Sequence, residues 1–367
     1  MKQPPTQQMF PVCFFFLICL LLPAPGRAID NAECLDCHSD DTLTKESTNN
    51  ILQLPITESL YVDEEKFERS PHGQNEIACV DCHSDIEELN WDEEVPHALT
   101  LKKVYCVDCH EDTAEEYKNS VHMQIRKKGI TMNCYACHGY HYVQDMENAS
   151  VTERTNTFCL KCHNPTIKHD WLPAGDSHFE SVECVVCHAP DTPRSIILRF
   201  YDLVTNQFCE GNVLLAKIGI NSRDFLTAFD KNHNDFIEAG EFENLMFLLK
   251  RKNVRAILRA ELVADVDALA HQIHKQSAQN DCAQCHAADS PYFSKVSILM
   301  SNDDGTVNRY NIDRSVLESY YVKHFYLLGG TRVKLLDKIG LLILAGGIFG
   351  VLAHFCGRVV TTRRRKQ

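Results

Sequence analysis

Seven copies of the pattern C-x-x-C-H run through this chain, at Cys34–His38, Cys79–His83, Cys106–His110, Cys134–His138, Cys159–His163, Cys184–His188 and Cys282–His286. Their starts are separated by 45, 27, 28, 25, 25 and 98 residues, so six of them crowd into residues 34–188. The motifs take up 14 of the 18 cysteines. A disulfide framework does not tie nearly every cysteine to a partner three positions away with histidine next. So little chain between motifs leaves room for short helices and loops, and the core must come largely from whatever the motifs attach.

C-x-x-C-H is the attachment signal for c-type haem. The two thiols reach the two vinyl groups on one porphyrin edge, and the histidine that follows is held under the iron. Paired C-x-x-C units also build tetrahedral zinc ribbons, but zinc gives no reason for histidine after every pair. The expectation is seven covalently bound c-type haems. Attachment would fall to Cys34, Cys37, Cys79, Cys82, Cys106, Cys109, Cys134, Cys137, Cys159, Cys162, Cys184, Cys187, Cys282 and Cys285. The proximal iron ligands would be His38, His83, His110, His138, His163, His188 and His286.

Sixth ligands are in good supply. Nine further histidines are candidates for the distal side: His72, His97, His122, His141, His169, His178, His271, His274 and His324. "RSPHG", "VPHAL", "NSVHM", "DSHFE" and "HQIHK" each place one shortly before a motif, and "CHGYH" places His141 just after one. His271 and His274 fall in a segment, Val254 to Lys275, that reads as helical. Sequence spacing leaves open which iron each histidine serves.

The phrases "FERSPHG…CVDCHSDI" and "YKNSVHM…CYACHGYH" resemble the repeats of bacterial multihaem c-type cytochromes, in which Ser-x-His supplies distal ligands. The resemblance covers Ile29 to His188 and the stretch His271–His286, and it implies bis-histidine, low-spin haems packed for electron hopping. A single membrane helix is similar to the plan of the NapC/NirT and NrfH quinol-oxidising cytochromes. Those carry four or five haems and an N-terminal anchor. Seven haems with a C-terminal anchor look more like the cytochrome c subunit of Cbc-type cytochrome bc complexes.

The 98-residue gap before the last motif holds "FDKNHNDFIEAGEF", which reads as an EF-hand loop. Asp230, Asn232 and Asn234 stand at positions 1, 3 and 5, the Phe236 carbonyl at 7, Glu238 at 9 and Glu241 at 12. Asp235 occupies position 6, where glycine normally makes the turn, so left-handed backbone at an aspartate is expected. One calcium ion is the implied ligand. Ser222 is expected to cap the entering helix, and "EFENLMFLLK" to form the exiting one. "YDLVTNQFCEGNV" is a degenerate match that could serve as a partner hand.

The fold class expected is mainly α with much irregular loop, wrapped around packed haems, because no segment sustains a strand-like alternation. The divisions expected are a signal peptide at 1–28, with its apolar stretch from Met9 to Leu22, and a six-haem region at 29–195. An EF-hand-like helical insertion at 196–252 and a helix with the seventh motif at 253–290 follow. A linker at 291–335, a transmembrane helix at 336–360 and a basic cytoplasmic tail at 361–367 complete the chain. "IGLLILAGGIFGVLAHFCG", from Ile339, is apolar enough to cross a bilayer. The basic residues after it favour a cytoplasmic C-terminus and a periplasmic haem region. Gly346, Gly350, Ala353 and Gly357 share one helical stripe suited to a packing partner, with His354 beside it.

A net charge of −13 argues against nucleic acid. The function expected is relay of electrons from an integral-membrane partner, such as a b-type cytochrome or quinol-oxidising subunit, to soluble or extracytoplasmic acceptors. No residue is needed as general acid or base. The alternatives are a reductase of a small oxyanion such as nitrite, which needs one iron with an open distal face, and a calcium-regulated electron-transfer subunit.

Overall fold

The computed structural model describes residues 29–48, 54–276, 278–287, 290–302, 304, 306–319, 321–323 and 334–364. The signal peptide and His324 lie outside the described residues. The chain divides into two units, residues 1–105 with 140–144, and residues 106–139 with 145–367.

In the first unit, the helix Asn31–His38 carries the first motif. Its N-cap Asp30 and Glu33 form a reciprocal capping box. A hairpin follows, of β1 (Thr44–Thr48) and antiparallel β2 (Pro55–Ser59). Beyond it come the short helices Glu64–Glu68, Pro71–Gln74 and Cys79–Cys82. None of these elements buries an apolar residue fully, as expected where the polypeptide does not supply its own core.

The second unit has two parts of different character. Residues 106–139 and 145–188 are again short helical turns around motifs. From residue 194 onward the chain builds a conventional core on a sheet. Its strands are β3 (Arg194–Asp202), β4 (Gln207–Phe208), β5 (Phe236–Ile237), β6 (Ala256–Ala264), β7 (Val296–Ser301), β8 (Val307–Ile312) and β9 (Val322–Lys323). The order is β5-β8-β7-β3-β6-β9, with β4 paired to β3. β3 and β6 pair antiparallel along their whole length, from Arg194 opposite Ala264 to Asp202 opposite Ala256. Phe200, Leu198, Ile298, Leu258, Phe225, Phe229, Phe242 and Leu249 pack into one buried cluster.

This sheet corrects the mainly α expectation: the chain mixes helices and sheet. Val254 to Lys275 is not a helix but β6 followed by a single 3-10 turn, Ala268–His271. The expected linker at 291–335 contains β7 and β8. The expected helical insertion opens on β3. The cause is that β3, β6 and β7 are central strands covered on both faces, so they present near-continuous apolar runs rather than alternation. Such a run cannot be told from buried helix by its period.

The EF-hand segment is helix–loop–helix, with Phe225–Phe229 entering and Ala239–Arg251 leaving. Ser222 does not cap the entering helix, which starts after Asp224 with no side-chain cap; Asn221 caps the 3-10 turn Ser222–Asp224 before it, accepting from Arg223 N–H, while the Ser222 hydroxyl donates to Asn302 at 2.7 Å. The expected partner hand is instead the β3–β4 turn. The loop strand β5 pairs with β8, which gives it the strand neighbour a second hand would have provided.

The helix Lys334–Arg364 ends the described chain. Ile339–Arg358 within it is long and apolar enough to cross a membrane.

Candidate haem-binding histidine pairs

Each motif is one helical turn. The His83 N–H bonds to the Cys79 carbonyl, His110 N–H to Cys106 and His163 N–H to Cys159, all at 2.9 Å. One turn brings residues three apart onto the same face, so the two sulfurs of each motif share a side and the histidine follows round the turn. The other four motifs lie in the helices Asn31–His38, Cys134–His138, Cys184–His188 and Cys282–His286.

Among the described contacts, six motif histidines each face a second imidazole. In the first unit, His38 faces His97 with ring centroids 6.1 Å apart, and His83 faces His141 at 6.2 Å. In the second, the pairs are His163 with His122 at 6.0 Å, His138 with His271 at 5.8 Å, His188 with His169 at 6.0 Å and His286 with His178 at 5.9 Å.

The spacing is informative. A metal–imidazole nitrogen bond is about 2 Å and the ring centre lies about 1.1 Å further on, so two imidazoles on opposite faces of one metal put their centroids about 6 Å apart. Stacked rings in direct contact come closer. The six pairs therefore fit an iron held between two histidines. A zinc ribbon would need two C-x-x-C pairs to converge, and among the described residues no group of three or more His, Cys, Asp or Glu side chains is arranged to hold a metal.

Two of the candidate distal histidines reach their places by local rules. Ser70 caps the single-turn helix Pro71–Gln74, its hydroxyl accepting from Gly73 N–H at 3.1 Å. Ser120 caps Val121–Gln124 and accepts from His122 N–H at 3.2 Å. Both serines are buried. Ser-x-His thus sets the histidine in the first turn of a capped helix, aimed by the cap. His72 occupies the first of these helices and His122 the second.

Two candidates part company in the 270s. His271 pairs with His138, whereas the ring of His274 bonds to Gln272 and its carbonyl accepts from His188 Nδ1 at 2.8 Å. His274 is therefore a positioning residue. Nothing in "HQIHK" distinguished the two, because the distinction depends on where His138 and His188 lie in space.

Outer hydrogen bonds orient other rings in the same way. His38 Nδ1 donates to the Leu60 carbonyl at 2.7 Å, His169 Nδ1 to Pro165 at 2.7 Å and His97 Nδ1 to Ala98 at 3.0 Å. A carbonyl only accepts, so each of these rings carries its proton on Nδ1 and turns its Nε2 lone pair outward, as a metal ligand must. Burial holds His83, His122, His141 and His271 below the ordinary imidazole value, and His138 falls to about 4 for the same reason, with His271 and His110 adding to it. Neutral rings at neutral pH are ligands ready for iron.

Neighbouring motifs also touch within each unit. The Cys34 and Cys79 thiols hydrogen-bond to each other, as do those of Cys159 and Cys184. Attachment edges of successive groups thus abut.

Residues 65–139 match the family described as cytochrome c7 and related cytochrome c, and residues 105–189 match that described as cytochrome c554 and c-prime. The chain carries multihaem cytochrome c domains. Those families imply covalently bound c-type haem, and electron transfer is the chemistry of such domains. The two matches contain the motifs from Cys79 to His188. The chain matches no curated protein and no solved structure.

The calcium candidates lie together in one loop. Asp230 is buried and its carboxylate accepts from Asn234 and Asp235 N–H, at 3.2 and 2.9 Å. Asp235 is left-handed, at φ 62°, as its place in the loop requires. Phe236 N–H bonds to the Asn234 side chain at 2.9 Å, and Asn232 and Asn234 both donate to Glu238. Glu241 accepts from Lys231 and Glu238 N–H at 2.6 and 3.0 Å, closing the loop and capping the exiting helix.

Proposed function

We propose that this chain is a membrane-anchored heptahaem c-type cytochrome that relays electrons from a quinol-oxidising membrane partner to extracytoplasmic acceptors. The histidine pairs carry the reading. An iron with both axial positions filled by imidazole exchanges electrons without binding substrate, and the protein's part is to fix ligands, spacing and surroundings. At those six motifs the pairs leave no open iron face of the kind a nitrite-type reductase needs. The apolar helix Ile339–Arg358 and the basic residues beyond it favour anchoring with the haem region outside the cytoplasm. Space around Gly346 and Gly350 suits close approach of a partner helix, such as one from a b-type cytochrome.

Purified full-length protein in detergent tests this. Seven haems per polypeptide by alkaline pyridine spectra, with low-spin signals throughout the oxidised form, are expected. A high-spin iron, or a spectral shift on adding nitrite, would turn the reading to the reductase. Quinol reduction only in the presence of a copurifying subunit would establish the partner.

Calcium binding at Asp230, Asn232, Asn234, Phe236, Glu238 and Glu241 is a second, independent element of this reading. It is favoured by the left-handed turn at Asp235 and by the place of Glu241 in the first turn of the exiting helix. Extracytoplasmic calcium suits a site of modest affinity.

A further inference from the structure

The two histidine pairs of the first unit are set in unlike surroundings. His38 Nδ1 donates to the Leu60 carbonyl at 2.7 Å, and its partner, half-buried His97, donates to Ala98 at 3.0 Å. In the other pair, His83 Nδ1 is buried and has no hydrogen-bond partner. A ring N–H that donates to a carbonyl makes the opposite nitrogen a stronger donor to a metal. Stronger donation and an acidic setting favour the oxidised iron, and weaker donation with burial favours the reduced one.

Charge bears on both sites. Asp30 and Glu33 both bear on Cys34 in the first motif. Asp85 bears on His83, but its carboxylate accepts from Lys102 N–H at 2.6 Å, and the Lys102 charge lies close by. The two attachment sites also abut. Besides the Cys34–Cys79 thiol contact, the Asn31 side chain accepts from Cys79 N–H at 2.7 Å and clamps the first motif helix to the second.

We propose that the first unit holds a directed redox step, in which the iron between His38 and His97 is the donor and the iron between His83 and His141 is the acceptor. A haem held by His38 and His97 would pass one electron to a haem held by His83 and His141, with no bond formed or broken and no proton moved. Hydrogen bonding and the burial of His83 Nδ1 favour this direction, and the Asp85 charge, partly offset by Lys102, opposes it.

The inference rests on haem being linked at both motifs. It is tested by potentiometric titration of the haem-loaded full chain, following absorbance and electron paramagnetic resonance. At the potential where the first haem is half reduced, the second is expected to be at least tenfold in favour of its reduced form, a separation of about 59 mV for one electron. Asp30→Asn keeps the helix cap and removes a charge beside the first motif; it should raise only the lower of the two waves. Asp85→Asn should raise only the higher. His97→Met and His141→Met, which leave the thioethers untouched, should move the lower and the higher wave respectively. Waves in the reverse order, or coincident, would overturn the directed step while leaving the cytochrome reading intact. A product without haem absorbance would defeat both.

Discussion

His178 lies just before the Cys184 motif in sequence, yet its imidazole faces His286 of the last motif, with centroids 5.9 Å apart. The same displacement recurs in His122, which precedes Cys134 but faces His163. These histidines face motifs other than the one they precede, so each pair ties together stretches of chain that share little else. In a region with few buried apolar side chains, such cross-links do the work a core would do.

His178→Ala should therefore open the iron of the Cys282 motif and leave that of the Cys184 motif low-spin. One high-spin signal per molecule is expected. In a chain that already lacks Cys282 and Cys285, and hence that haem, the same substitution should add no signal. A high-spin iron that persists there would reassign His178 to another site.

His271 and His274 should behave oppositely. His271→Ala removes the ring opposite His138 and should produce a high-spin iron. His274→Ala keeps the carbonyl that His188 uses and should leave all irons low-spin, because the lost ring bonds only Gln272 in the described contacts. Equal spectra from both variants would refute the division.

The sheet is joined to the haem-motif region of its own unit by a buried ion pair. Arg154 reaches Glu183 at 3.1 Å and the Ala264 carbonyl at 2.8 Å, with both side chains almost wholly enclosed. Arg154→Met leaves the Glu183 carboxylate buried and unpaired, a loss of about 3–5 kcal/mol. Adding Glu183→Leu should restore much of it. Urea unfolding followed by far-ultraviolet circular dichroism measures both, and an unaffected single variant would show the pair to be idle.

Glu183 also sets a pH dependence. Burial raises its carboxyl above the ordinary glutamate value, with Arg154 opposing. The folded state thus binds a proton more readily than the unfolded one, so this group's contribution to stability falls as pH rises from the ordinary glutamate value through the raised one. Wild type should lose stability relative to Glu183→Gln across that window. A constant difference between them from acid to neutral pH would contradict the assignment.

For the loop at Asp230, terbium luminescence or calorimetry should detect one cation per chain. Glu241→Gln should weaken binding at least tenfold, since it takes a charge from the bidentate position while retaining a polar side chain for the helix cap. Unchanged affinity in that variant would exclude the EF-hand mode.

The covalent chemistry was readable from primary structure because C-x-x-C-H is a local device: both sulfurs and the first ligand come from a single turn, and no distant residue is required. Ser-x-His was legible for the same reason, since a serine cap orients a histidine two positions on. The left-handed Asp235 followed from its place in a twelve-residue loop. Pairing His97 with His38, or separating His271 from His274, was beyond any spacing rule, because those relations hold between segments whose approach is set by packing. The sheet stayed hidden for a related reason. β3, β6 and β7 are covered on both faces, so their side chains carry no period to betray them, and only the burial of Ile197, Leu258 and Ile298 against neighbouring strands and helices makes those runs extended rather than helical.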